Sequence, residues 1–247
     1  MKRLISWFLV AALSCVAHAA PIVINGPIVA QAAGGGALTL VQRKVSNYSN
    51  TTSVSAVFTS ASTNGSLIVA TLSIEGDATS VSTIGDGTNG SYGSADISTT
   101  KATSGNGTGG TAAIYHIKNT GTATLTVSVT LSGSASYGVL SVYEFTGQHA
   151  TTPLDSTQGA SGEQTLHTLT ITTVANNCAI VTIGTAYPGA ASPDTGFTEA
   201  FAEIGLSNSY HYGEYDDNVG TGGGKTLTEN RGSPTIFVFS AAAYKGL

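Results

Sequence analysis

From residue 124 to residue 132, apolar and hydroxyl side chains alternate without a break. Leu125, Val127, Val129 and Leu131 fall on one face, and Thr126, Ser128 and Thr130 on the other. Period two over this length predicts a half-buried antiparallel strand. Thr120-Gly121 and Ser132-Gly133 supply the turns at its ends. Runs of similar character predict strands at 38–45, 54–59, 67–74, 80–84, 112–118, 138–145, 166–173, 178–187, 206–212 and 235–244. No stretch carries the stripe of an amphipathic helix. About ten short strands between Gly, Asn, Ser and Asp clusters predict an all-β fold, an antiparallel β-sandwich that is jelly-roll-like. No fixed period repeats along the chain, which argues against a solenoid or propeller.

Composition agrees with this pattern. The 247 residues include 36 Thr, 28 Ser and 31 Gly, but only 9 Lys+Arg and 14 Asp+Glu. Thr suits strands, Gly breaks helices, and the long helix-forming side chains are scarce. With 41% hydrophobic residues and a net charge of −5, the chain has the apolar surface to fold and too little charge to remain disordered. No basic run is present to neutralise phosphates, which argues against nucleic acid as a partner.

The first residues read as an export signal. Lys2 and Arg3 precede the apolar stretch 4–16, and Ala17-His18-Ala19 has the small-x-small pattern of a cleavage site. The expected organisation is a signal peptide at 1–19, an extended arm and Gly-rich hinge at 20–37, and a single β-sandwich domain at 38–247. The mature protein is expected to be secreted or extracytoplasmic, at a cell surface, in a periplasm or on a virion. The apolar stretch is short for a membrane span of about 20 residues, and no later segment is long enough. Without 1–19, Cys178 is the one cysteine left. It opens the apolar run 178–183, as an inert buried thiol would.

Several motifs suggest chemistry. Gly220-Thr221-Gly222-Gly223-Gly224-Lys225-Thr226 resembles a phosphate loop, but Val219 stands where the first Gly is needed and no helix pattern follows. A hairpin tip is the ordinary reading. Asp86-Gly87-Thr88-Asn89-Gly90 offers oxygen ligands, Asp86 and Asn89, to a calcium ion. Asp-Gly and Asn-Gly are also strong turn formers. The richest polar cluster is 210–218. Extended, it places Tyr210, Tyr212 and Glu214 on one face and His211, Tyr215 and Asp217 on the other. Tyr210, Tyr212 and Tyr215 could stack on sugar rings while Glu214 and Asp217 accept hydroxyl hydrogen bonds. The alternative is an edge strand whose tyrosines cover the core and lead into an acidic loop. Glu75, Asp77 and Glu144 are the candidates for a pair of glycosidase carboxylates. No Gly-x-Ser-x-Gly or His-Glu-x-x-His occurs.

The order of Ser66-Leu67-Ile68-Val69-Ala70, Gly85-Asp86-Gly87-Thr88-Asn89-Gly90-Ser91-Tyr92, Ala113-Ile114-Tyr115-His116-Ile117-Lys118-Asn119, Val142-Tyr143-Glu144-Phe145-Thr146-Gly147, Pro153-Leu154-Asp155 and Ala241-Ala242-Ala243-Tyr244-Lys245 resembles poorly characterised β-sandwich domains. Such domains occur in bacterial secreted proteins and in phage structural proteins of tail-fibre or decoration type. The resemblance implies no catalytic residues. The segments 187–194 and 208–224 look like insertions with irregular loops. Together these features predict a non-catalytic extracellular structural or adhesive protein, part of a cell-surface or virion assembly. Its partner would be a surface glycan, another protein or further copies of itself. A carbohydrate-binding module using the tyrosines is the alternative, and a jelly-roll glycoside hydrolase or lyase comes third.

Overall fold

The computed structural model describes residues 36–76, 79–102, 109–186, 194–205 and 209–247. The expected signal at 1–19, nearly all of the arm at 20–37, and Asp77 lie outside the described residues. The fold is an antiparallel β-sandwich. Its strands are β1 (Thr39–Val57), β2 (Leu67–Glu75), β3 (Val81–Asp86), β4 (Gly90–Ser91), β5 (Ile97–Lys101), β6 (Gly110–Lys118), β7 (Thr126–Thr146), β8 (Leu154–Thr173), β9 (Ala179–Ala186), β10 (Thr198–Ile204), β11 (Tyr210–Asp216) and β12 (Gly223–Tyr244). No helix among the described residues is long and apolar enough to cross a membrane.

The strands form two sheets. The first runs β4-β3-β7-β2-β6-β5, with β1 also paired to β7; the second runs β10-β11-β9-β12-β8. Without the short hairpin β3–β4, the first sheet reads β1-β7-β2-β6-β5. Its counterpart reads β8-β12-β9-β11-β10. The two orders are the same walk through the chain, taken twice.

Finer details match too. The long pair β1/β7 carries register shifts between Leu40 and Gln42 and between Thr51 and Ser53. The long pair β8/β12 shifts between Ala243 and Tyr244, opposite Leu154 and Ser156, and again between Asn230 and Thr235. Leu67 faces Phe145 just as Ala179 faces Tyr244. Each of these inner strands begins two positions after a left-handed backbone, Gly65 (φ 82°) or Asn177 (φ 56°), so both start from an equivalent turn.

The repeat explains the core. One apolar cluster lies between the sheets and includes Leu67, Val69, Ile114, Tyr143 and Phe145 from the first with Val181, Ile183, Phe201, Val238 and Tyr244 from the second. At its register shift each long pair bends over the outer face of its own sheet, because a bulge kinks the strand. Val127, Val129 and Leu131 thereby cover Ile68, Leu72 and Leu140. Leu169, Ile171 and Leu227 likewise cover Ile180, Phe237 and Phe239. The inner strands β2 and β9 are therefore buried on both faces along their whole length. That is why they read as continuous apolar runs, while the bent end of β7 reads as strict alternation.

Candidate functional site

Strand β11 holds most of the residues expected to bind a ligand. Its alternation is as expected: Tyr210 and Tyr212 join the outer core, and Tyr215 packs against the core between the sheets. The rings are not an open platform, however. Tyr210 and Tyr212 retain only 9% and 7% of their exposure. Tyr212 meets Phe239 edge-on at 5.0 Å. Tyr215 meets Tyr143 at 5.9 Å under the Arg43 guanidinium. Glu214 is buried and accepts a hydrogen bond from the Asp194 amide at 2.8 Å. Asp217 follows the strand end, half-buried. The bent ends of β8 and β12 supply the cover, and they leave beside Tyr212 and Glu214 a cavity of about 10 Å³, room for at most one water. The segment 208–224 is correspondingly not a loop insertion, since it contains β11 and the start of β12.

Asp86 and Asn89 form a closed turn. Asp86 Oδ1 accepts the amides of Thr88 (2.8 Å) and Asn89 (2.7 Å), and Oδ2 accepts Asn89 Nδ2 (2.9 Å) and the Tyr92 hydroxyl (2.8 Å). Asn89 Oδ1 accepts the Thr120 amide at 2.8 Å. Burial and the Asp86 charge hold the Tyr92 hydroxyl far above its ordinary pKa. Among the described residues, no three His, Cys, Asp or Glu side chains gather as metal ligands. The lookalike phosphate loop is a turn into β12, with left-handed glycines at Gly220 and Gly223.

The carboxylates Glu75 and Glu144 do not flank one bond. Glu144 pairs in register with Ile68, seven positions along β2 from Glu75, roughly 20 Å at a strand's rise per residue. The two also point to opposite faces of the sheet. Glu144 is fully buried and accepts Gln42 Nε2 at 2.7 Å and the Thr63 amide at 2.6 Å. Glycosidase carboxyl groups stand within about 10 Å of each other across a cleft. Cys178 is buried as expected, and burial pushes its thiol up to about 12.

Two polar clusters that cross between the sheets escaped sequence analysis. At the rim, His116 Nδ1 lies 2.7 Å from Asp96 Oδ1, and the Tyr244 hydroxyl donates to Asp96 Oδ2 at 2.6 Å. Deeper, β2 contributes Ser73 and Glu75 while β11 and the residue before it contribute His211 and Ser209, all at most 2% exposed. The Ser209 hydroxyl donates to Glu75 Oε2 at 2.5 Å and lies 3.1 Å from His211 Nε2. Ser73 Oγ hydrogen-bonds His211 Nδ1. A neutral imidazole satisfies all three contacts. Ser73 donates to Nδ1, a neutral imidazole donates from Nε2 to Ser209, and Ser209 donates to Glu75. Burial lowers the His211 pKa, and the nearby Glu75 opposes that shift without overcoming it. The arrangement has the members of a Ser–His–Glu set, but the core surrounds them. No known family model, curated protein or solved structure matches this chain.

Proposed function

We propose that this chain is a non-catalytic extracellular structural or adhesive protein, a building block of a cell-surface or virion assembly. One observation carries the reading: two long strands at sheet edges. Among the described residues β1 pairs only with β7, and β8 only with β12. Edges of 19 and 20 residues offer rows of backbone donors and acceptors to a neighbouring chain. Beyond its bend, the β8/β12 pair shows an uncharged hydroxyl exterior built from Thr168, Thr170, Thr172, Thr226 and Thr228. The export signal read at 1–19 supports the compartment. Light scattering over a concentration series tests the reading. Self-association, or capture by a cell surface or particle, supports it; a strict monomer that binds neither overturns it.

A second reading, glycan binding, moves to a different place on the fold. An open groove of about 390 Å³ runs beside the Asp86 turn and is lined by Thr83, Gly85, Gly87, Ser91, Thr126 and Ser128. Neutral hydroxyls with glycine backbone between them suit a neutral sugar better than the buried tyrosines do. A glycan array separates the two readings: binding that Ser128→Tyr abolishes favours the groove, and an empty array retires it.

A further inference from the structure

The repeat offers an internal control for the buried His211 cluster. Register pairs His211 with Thr185 of β9, and Ala112 with Ser73 of β2, at equivalent places in the two sheets. Gly110 and Ala112 thus stand in the first sheet where Ser209 and His211 stand in the second. Gly110 leaves no room there, because a Cβ on it would lie 2.7 Å from the Ile74 carbonyl and 2.9 Å from Thr185 Cγ2. One copy therefore closes this contact with glycine and alanine. The other closes it with an imidazole, a carboxylate and two hydroxyls at almost no solvent exposure. The shared scaffold does not require the polar version, and burying such groups costs stability unless every bond is made.

We propose that the Ser73–Glu75–Ser209–His211 cluster is an acid-sensitive latch that holds the two sheets together when His211 is neutral and weakens that contact when it takes up a proton. At neutral pH His211 bonds Ser73 across the sheets, and its Nε2 proton supports the Ser209 bond to Glu75. Protonation at Nδ1 turns the Ser73 hydroxyl from donor to acceptor and lodges a charged ring among side chains at most 2% exposed, a burial cost that weakens the contact. Glu75 of β2 lies 3.8 Å from Nε2, Glu203 of β10 faces His211 in register, and the Tyr137 ring of β7 lies 5.0 Å away. Tyr48 of β1 donates its hydroxyl to the Ser73 carbonyl. The two carboxylates favour the proton and the burial opposes it; burial prevails. The sign follows. His211 has a lowered pKa in the fold, so the unfolded chain binds its proton first. The stability the cluster gives is complete above the ordinary histidine value of about 6.5 and is lost as pH falls below it.

The test compares the intact chain with His211→Gln by urea unfolding between pH 8 and pH 5. His116, His149 and His167 are common to both proteins, so the difference reports His211. The wild-type unfolding equilibrium constant should rise below pH 6.5 more steeply than that of the variant, by up to about tenfold per pH unit for one proton. Parallel pH profiles would overturn the latch. Should His211→Gln fail to fold, ring NMR of the wild type decides. A neutral ring carrying its proton on Nε2 at pH 7, with amide protection at Ser73 and His211 falling below pH 6, supports the proposal. A charged ring at pH 7, or protection there that does not change with pH, refutes it.

Discussion

The two sheets share a strand order, a pair of bends and an inner strand buried on both faces, yet they are filled differently where they touch. Tyr244 and Phe145 occupy the same place, both fully buried at the ends of the long strands that precede Gly246 and Gly147. Tyr244 reaches through the interface to Asp96 and His116, while Phe145 stacks near-parallel on Tyr143 within its own sheet. Ser240 donates across to the Ala112 carbonyl at 2.9 Å, while Ser141, its counterpart, lies beside Tyr143 within its own sheet. The backbone plan is thus common property, and polar bonds across the interface come mainly from one copy's side chains. In a duplicated fold, the burial pattern is what both halves must keep, and hydrogen-bond chemistry is where they can diverge.

Truncation at the shared position breaks the comparison most severely. Phe145→Ala should cost about 3–5 kcal/mol in urea unfolding, the range for deleting a fully buried aromatic ring. Tyr244→Ala should cost at least as much, because it also strips a donor from the Asp96 carboxylate, whose side chain is only 7% exposed. A small loss in either variant would mean that the interface collapses around the cavity and that the two places are not equivalent. Tyr244→Phe, which makes the two halves alike, isolates the hydroxyl. It should cost about 1–3 kcal/mol, since a charged acceptor loses one partner.

The sequence made part of this plan legible. The runs at 67–74, 178–187 and 235–244 stand out because Leu67–Glu75, Ala179–Ala186 and the end of β12 have no solvent face to decorate with polar residues. The alternation at 124–132 stands out because that segment has one. The expected strands 38–45 and 54–59 are a single β1, and those at 124–132 and 138–145 are a single β7. The polar residues between them mark a bend in a continuous strand. The first half of β8, with β5 and β10, was missed because these edge strands are polar and half-buried and carry no clean period. The repeat left almost no trace. Of Gly138–Gly147 against Phe237–Gly246, the identities are Val139 with Val238, Ser141 with Ser240, and Gly147 with Gly246. As for the site, the two faces of β11 could be read from parity. That the tyrosines are covered could not, because β8 and β12 do the covering from remote positions. His211 meets Ser73 across 138 residues, a partnership no local pattern announces.

The serine pair sharpens the comparison at a smaller scale. Ser240→Ala removes bonds to Thr99 and to the Ala112 carbonyl and should cost about 1 kcal/mol or somewhat more. Ser141→Ala, at the equivalent place, removes no bond across the interface and should cost less. Equal losses in parallel urea titrations would show that cross-sheet bonding is not what distinguishes the two copies.

The smallest effect is expected where the copies differ by one atom. Ser66 and Cys178 each precede an inner strand, and each donates to the carbonyl three residues back, Ser66 to Thr63 at 2.7 Å and Cys178 to Ala175 at 3.3 Å. Cys178→Ser should therefore find its bond already laid out and change stability by about 1 kcal/mol or less. A loss on the scale of a core cavity would show that the second turn differs from the first in more than its backbone. The pH dependence separates wild type from variant in a known direction. Burial raises the thiol from 9.0 to about 12, so the folded chain keeps its proton at pH values where the unfolded chain has lost it. Wild-type stability is then complete below pH 9 and declines as pH rises above it, by up to tenfold in the unfolding constant per unit for one proton. Cys178→Ser lacks this decline. A thiol reagent at pH 8 should accordingly label Cys178 only in unfolded protein, and rapid labelling of the native chain would contradict its burial.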